Sequence, residues 1–190
     1  MTSSEKTLDT RARLIRAMQI ALASRGFHGI GLNELLANAD APKGVMYHHF
    51  PGGKSELALA AIEQSTAIML QQLTKGMQKF EQPADAIAQW FEGAIKNLSQ
   101  QKYELGCPLA TVALETVEAD IELRQAIADS FSRIRQALAD SLQNAGINNS
   151  KPLAALVVSA FEGALMQARV AQSPKPLRDA LAALIPMLRK

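Results

Sequence analysis

Apolar side chains recur at helical spacing along almost the whole chain. The segment 10–25 carries one apolar face, and Gly26 follows it at the position where a glycine commonly ends a helix. Two shorter apolar segments follow, over 32–39 and 42–49, separated by a tight turn. Pro42 suits the first position of a helix, because its missing N–H is not needed there. The pattern predicts one medium helix and two short helices before the break at 51–53.

After that break the same spacing continues to the end of the chain, and no segment shows the strict alternation of a β-strand. The further helices are expected over 55–80, 84–101, 109–117, 121–144, 152–170 and 177–188, the last of them kinked or ended near Pro186. The predicted fold class is therefore all-α, with about nine helices.

Composition narrows the class of protein. Only 5% of the residues are aromatic and 48% are hydrophobic, which favours a helical globular protein over a sheet protein or a disordered chain. The single cysteine, Cys107, excludes an internal disulfide and suits a reducing compartment.

The start of the chain lacks a secretory signal, and the most apolar run, 153–166, is about 14 residues and too short to cross a bilayer. We therefore expect a cytoplasmic protein with no membrane partner.

The arrangement of the first three helices indicates DNA binding. Two short helices joined by a tight turn form a helix-turn-helix, whose second helix enters the major groove. Lys43 would lie in the first turn of that helix, where lysine can donate to guanine O6 and N7. Gly44 would let the backbone approach DNA, Val45 would offer a methyl surface to thymine, and Tyr47 and His48 would donate to phosphates. Residues 1–60 also hold the whole net charge of +2 and all three histidines.

The same residues resemble a known family. The first 50 residues are similar to the DNA-binding domain of TetR-family transcriptional repressors. Three stretches carry the resemblance: Arg25-Gly26-Phe27, then 32–36, then Pro42 to Phe50 with its "KG..YHHF" pattern. The resemblance implies a three-helix DNA-binding domain, here 1–54, on a six-helix ligand-binding and dimerisation domain, here 55–190. It also implies a homodimeric repressor released from a near-palindromic operator by a small-molecule effector. Asn33 and Lys54 join the candidate DNA contacts, and the neighbourhood of Cys107 resembles a subgroup with multidrug and electrophile regulators.

The second domain offers candidate effector contacts. Apolar pockets with few polar anchors are typical of ligand sites, and the candidates are Met69, Trp90, Phe91, Cys107, Phe131, Phe161 and Met166. The same side chains could instead form the core. Cys107 is either a small buried residue or a sensor thiol at a helix start. Glu92, Glu115 and Glu162 stand in apolar neighbourhoods, where a carboxylate would favour a cationic ligand unless it faces solvent.

The helix over 153–170 is apolar almost all round and must be buried on more than one side. Together with the last helix it is expected to form an isologous four-helix interface between two subunits. The predicted interface residues are Leu156, Ala160, Ala164, Leu181, Leu184 and Leu188.

Two other classes of function are weighed against this reading. No nucleophile elbow, phosphate loop or zinc signature is present, so no catalytic residue, metal ligand or cofactor is predicted. The alternative that stays open is an all-helical interaction or ligand-binding module without specific DNA binding.

Overall fold

The computed structural model describes residues 9–189, and within them the chain forms α-helices and no β-strand. Nine α-helices lie in this range: α1 (Thr10–Arg25), α2 (Leu32–Asn38), α3 (Lys43–His49), α4 (Gly53–Lys79), α5 (Pro83–Gln100), α6 (Pro108–Glu115), α7 (Ile121–Asn144), α8 (Ser150–Ala171) and α9 (Lys175–Leu184). A short 3-10 helix, Ile185–Leu188, ends the described chain. The all-α class and the count of nine helices predicted from the sequence are confirmed.

The helix bounds follow local signals. Gly26 ends α1 with a φ of 75°, a conformation that glycine adopts without a steric penalty. The Asp9 side chain accepts a hydrogen bond from the Ala12 amide at 2.6 Å and caps the start of the same helix. The largest difference from the sequence lies at the end, where α9 stops at Leu184 and Pro186 falls in the first turn of the 3-10 helix. Proline removes a backbone donor, which is why the last helix is expected to kink or end near Pro186, and the regular α-helix stops two residues before it.

The helices cluster into two compact units. Among the described residues, the first contains 9–65 together with Pro108–Ala128, and the second contains Thr66–Cys107 and 129–189. The sequence did not indicate that α6 would join the N-terminal helices. The functional boundary near residue 54 stays a prediction.

The first unit is built around α1, which packs against α2, α3 and α6. Leu14, Met18 and Leu22 form its inward stripe and have no accessible surface. From α6, Leu109 and Val112 are buried just as completely. Each such side chain contributes about 1.5–3 kcal/mol by leaving water, so α6 is part of this core.

The second unit has α8 at its centre, packed against α5 and α9. Phe91, Val157, Ala168 and Leu177 have no accessible surface. Inside the same unit the Thr66 hydroxyl donates to the Ser130 hydroxyl at 2.8 Å, so these two buried polar groups satisfy each other.

The expectation that the apolar run is too short for a membrane needs correction. The helix that contains it, Ser150–Ala171, has 22 residues and is long and apolar enough to cross a bilayer. The helix extends beyond both ends of the apolar run 153–166 that the sequence indicated. Length and composition are equally those of a core helix, and Phe161, Ala164 and Ala168 of α8 are buried within the unit.

Candidate nucleic-acid interface

The short helix α3 presents one polar face to solvent. Met46 is its buried anchor, with no accessible surface. Lys43, Gly44, Tyr47 and His48 are exposed on the rest of the helix. Because one side chain fixes the inward face, the predicted DNA-reading residues lie together on the outward face; Val45 is half-buried at its edge.

The turn before α3 is held by a residue that sequence reasoning did not single out. The Arg13 guanidinium on α1 donates to the carbonyl oxygens of Ala39 at 3.1 Å and Asp40 at 2.9 Å. Asp40 has a φ of 47°, a left-handed conformation that aspartate tolerates better than most residues. Arg13 thereby fixes the angle at which α3 leaves α2. Nothing but its positive charge marked it in the sequence.

An open groove runs between α2 and α3. Asn33, Pro42 and Lys43 line it together with Leu36, Ala37, Asp40 and Ala41. Asn33 is exposed on α2, so the structure brings this candidate and Lys43 to one surface.

Tyr47 is 43% exposed and its ring lies close to Gly53, the first residue of α4. A Cβ on Gly53 would lie 3.4 Å from the ring Cε1, and Gly53 has a φ of 72°. The backbone conformation therefore favours glycine here, whereas an added Cβ would make only an ordinary van der Waals contact with the ring. This packing holds the Tyr47 ring in place and leaves it partly in solvent.

Lys54 has a different surrounding from the other candidates. Its Nζ donates to the Phe27 carbonyl at 2.6 Å and lies 4.4 Å from the centre of the Phe27 ring. Desolvation lowers the pKa of this amine, and the charge of Glu115 opposes that shift. In this structure Lys54 secures the loop between α1 and α2; its predicted phosphate contact stays untested.

The same loop is held from the other side by α6. The Glu115 carboxylate accepts hydrogen bonds from the Phe27 amide and, at 3.3 Å, from the His28 amide. A Cβ on Gly26 would overlap this carboxylate, which stands at the end of a flexible side chain, so it is the φ of 75° that favours glycine at this position. His28 Nε2 also lies 2.8 Å from Asp120 Oδ2. The pKa of Asp120 is lowered, mainly by the Val117 amide and then by His28.

The candidate effector residues separate into three environments. Trp90 and Phe161 stack with ring centres 4.1 Å apart, and Phe91 meets Phe161 edge to face at 5.1 Å. Met69 and Phe131 are half-buried, whereas Met166 is 53% exposed on α8. The structure thus brings the three rings together and leaves Met166 at the surface.

The three glutamates also differ. Glu92 is exposed on α5 and Glu115 holds the loop described above. Glu162 on α8 is half-buried as a residue, with its Oε2 atom buried and its carboxylate hydrogen-bonded to Cys107. Cys107 is itself 5% exposed. Across residues 9–189, no three His, Cys, Asp or Glu side chains are grouped so as to hold a metal ion.

The predicted dimer residues divide by burial. Leu156 is 44% exposed, and Ala160 and Leu181 are half-buried. Ala164, Leu184 and Leu188 are at most 4% exposed within the subunit, so they have almost no surface left to bury against a partner. The exposed apolar positions on α8 are instead Leu156, Met166 and Val170, which lie near one face of the helix.

Comparisons with known proteins agree with this geometry. Residues 16–61 match the family model for bacterial regulatory proteins of the tetR family, and residues 83–183 match the C-terminal domain of LmrA/YxaF-like transcriptional regulators. The chain is 27% identical to the transcriptional regulator LmrA of Bacillus subtilis, covering 96% of this chain and 97% of that protein. It is 30% identical to the transcriptional repressor NemR of Escherichia coli, covering 92% and 91%.

Solved structures show the same fold. The reduced form of Escherichia coli NemR superposes with a TM-score of 0.81 at 27% identity, covering 96% of this chain and 98% of that one. The regulator CifR, solved as a cysteine mutant with a 26-base-pair operator DNA, superposes with a TM-score of 0.81 at 16% identity, covering 95% and 97%.

Proposed function

Because the chain belongs to the TetR family of bacterial DNA-binding transcriptional regulators, we propose that it is a homodimeric repressor that a small-molecule effector releases from a near-palindromic operator. The observation that carries the DNA part is the outward face of α3, with Lys43, Gly44, Tyr47 and His48 exposed around one buried anchor, Met46. The same function makes a cytoplasmic location the expected one.

The proposed contacts follow from position on α3. Lys43, in the first turn, reaches base edges and carries sequence preference. Tyr47 and His48 bind phosphates, which set register without reading sequence. Two subunits related by a two-fold axis then require half-sites separated by whole turns of DNA. The CifR complex with operator DNA supports this arrangement by similarity of fold.

Dimerisation is proposed through α8 and α9. The exposed apolar positions Leu156, Met166 and Val170 would be the contact surface, with Ala160 and Leu181 at its edge. Gly163 lies on the same stretch, and a Cβ there would meet nothing within 4 Å. A small residue on a helix face lets a second helix approach closely. Ala164, Leu184 and Leu188 are buried within the subunit and are left out of the proposed contact surface.

The effector site is proposed in the second unit, around the ring cluster of Trp90, Phe91 and Phe161. A ligand there changes DNA affinity only if it binds one conformation of the subunit better than another. Cys107 directly precedes Pro108, the first residue of α6, and Glu115 at the other end of α6 holds the α1–α2 loop. We propose α6 as the element through which the effector acts.

A thiol-sensing version of release is a second candidate. The chain is similar to NemR, whose structure is described as a reduced form, and its single cysteine directly precedes α6. Cys107 is buried, so a reagent reaches it only when its surroundings open. Reagent-dependent operator release that is unchanged in Cys107→Ser would remove this candidate.

The deciding experiment is selection of duplexes from a random pool, followed by fluorescence anisotropy over a range of salt concentrations. We expect enriched sites with an inverted repeat, and affinity that falls steeply with salt because phosphate contacts release counterions. If no sequence is enriched, the chain is a helical module without specific DNA binding, and the repressor proposal is wrong.

A further inference from the structure

The first turn of α1 places an arginine at the C-terminal end of α3. Arg11 Cζ lies 5.2 Å from the centre of the Phe50 ring, and Phe50 is the residue that directly follows α3. Phe50 is only 1% exposed, so the arginine covers a buried ring and is attracted to its face. Arg11 itself is exposed and makes no ion pair with any group in residues 9–189. Within the described chain, the structure therefore holds a cation at this surface that no ion pair occupies.

Contact with a ring leaves the hydrogen-bonding capacity of this arginine intact. A guanidinium group stacks on aromatic faces, and its five N–H donors form a planar fork that matches the geometry of a phosphate. The carboxylate of Asp9, close by in the sequence, is engaged with the helix start, because it accepts a hydrogen bond from the Ala12 amide at 2.6 Å. Arg11 thus keeps the donors that a phosphate requires.

Arg11 also lies at the end of a row of rings that begins with a proposed phosphate contact. The centres of the His48 and His49 rings are 5.3 Å apart, and those of His49 and Phe50 are 6.4 Å apart. The seven residues of α3 span about 10 Å, and the major groove is about 12 Å wide. A helix of this length in that groove ends close to the phosphates at one edge. The position of Arg11, just beyond the last turn of α3, suits those phosphates.

Lys54, the other basic candidate for this role, is engaged inside the first unit. Its Nζ donates to the Phe27 carbonyl at 2.6 Å and lies 4.4 Å from the centre of the Phe27 ring. The residue is half-buried, whereas Arg11 is exposed. A contact between Lys54 and a phosphate would require both of these interactions to be given up.

We propose that Arg11 of α1, and not Lys54 of α4, is the cation that binds operator phosphate beside α3. The inference rests on the proposed function, in which α3 lies in the major groove, and it adds a contact from outside the helix-turn-helix. Phosphate contacts set orientation and carry no sequence information. Arg11 therefore fastens α1 to the DNA backbone and fixes the angle at which α3 enters the groove. Lys54 is a positioning residue that secures the α1–α2 loop.

The test is the salt dependence of operator affinity, measured by fluorescence anisotropy with the full chain and the selected operator. Each phosphate contact contributes about 0.9 to the slope of log K against log salt concentration. A dimer carries two copies of Arg11, so Arg11→Gln should lower the steepness of the slope by roughly 1.8. Its affinity deficit should then shrink about tenfold between roughly 50 and 200 mM salt. Arg11→Lys keeps the charge and should keep the slope.

Two control variants separate this contact from a general effect of charge and from an effect on the fold. Arg16 is exposed on the same helix, about 140° around it from Arg11, and Arg16→Gln should leave the slope unchanged. Lys54→Gln should lower Tm, because its contacts with Phe27 are lost, and should leave the slope as in the wild type. An unchanged slope in Arg11→Gln, or a reduced slope in Arg16→Gln or Lys54→Gln, overturns the inference.

The same series on a duplex of unrelated sequence separates this inference from the proposed function, because a phosphate contact acts on every sequence. If the chain shows no operator preference but the slope still falls in Arg11→Gln, the repressor is wrong and the contact stands. Operator preference with an unchanged slope in Arg11→Gln would keep the repressor and remove the contact. No binding to any duplex would contradict both.

Discussion

Gly44 offers a direct test of whether α3 approaches DNA closely. It is the second residue of α3 and is exposed, and a Cβ built there meets nothing within 4 Å. Its φ is not in the left-handed region that favours glycine. The folded subunit therefore has no steric or conformational need for glycine at this position. Any need for it must come from a partner.

The two expected effects of Gly44→Ala have opposite signs. Alanine in a helix is more stable than glycine by up to about 1 kcal/mol, which raises Tm by roughly 2–4 °C for a chain of this size. If the α3 backbone lies against DNA, the added methyl overpacks the interface at a cost of about 1–3 kcal/mol. That corresponds to roughly 5- to 150-fold weaker operator binding per subunit.

The assay pairs thermal unfolding with anisotropy on the selected operator. Gly93→Ala is the matched control, because Gly93 is also exposed on a helix and a Cβ there also meets nothing within 4 Å. The control should gain stability and bind the operator normally. The close approach of α3 to DNA would be refuted if the Gly44→Ala variant is more stable than the wild type and binds the operator just as tightly.

Three further predictions concern specificity, dimerisation and pH. Lys43→Ala should relax sequence preference by about 1–3 kcal/mol, whereas Tyr47→Phe should weaken binding to every duplex alike; equal losses on all operator variants would make Lys43 a backbone contact. Leu156→Glu should yield a folded monomer in sedimentation, whereas Ala164→Glu, at a position buried in the subunit, should lower Tm as well; a dimeric Leu156→Glu would exclude this face. Because the pKa of Glu162 rises on folding from 4.5 to about 7, the folded chain should lose up to about 3 kcal/mol as pH rises across that interval. Glu162→Gln should therefore be more stable than the wild type at pH 8 but not at pH 4.5, and parallel denaturation midpoints across this range would contradict it.

Most of the helical pattern could be predicted because its signals are local. A glycine cap at Gly26, prolines at helix starts and a regular apolar stripe fix where each helix begins and ends within a few residues. The end of α9 could be placed approximately, because Pro186 indicates that the last helix kinks or ends near it. A proline two residues after Leu184 shortens the α-helix and permits a 3-10 turn, and the apolar stripe continues through both.

The outward face of α3 could also be anticipated, since it needs only the spacing around one buried residue, Met46. The burial of apolar residues inside the larger helical unit could not be anticipated from the sequence. Leu184 and Leu188 lie on an apolar stripe that suits a subunit interface or an internal core equally well, and the structure buries both inside the subunit. Periodicity indicates which face is apolar and leaves open what covers it.

The contacts that hold the DNA-reading helices in place were the least accessible to sequence reasoning, because their partners are distant along the chain. Glu115 meets the Phe27 amide across 88 positions, and the only local trace of that contact is a glycine at 26 that a helix end explains by itself. Lys54 and Glu115 bind the carbonyl and the amide of the same residue, Phe27, from two different helices. The loop that joins α1 to α2 is therefore fixed by the start of α4 and the end of α6 together. A displacement of either helix changes the position of α2, and with it the groove that Asn33 and Lys43 share.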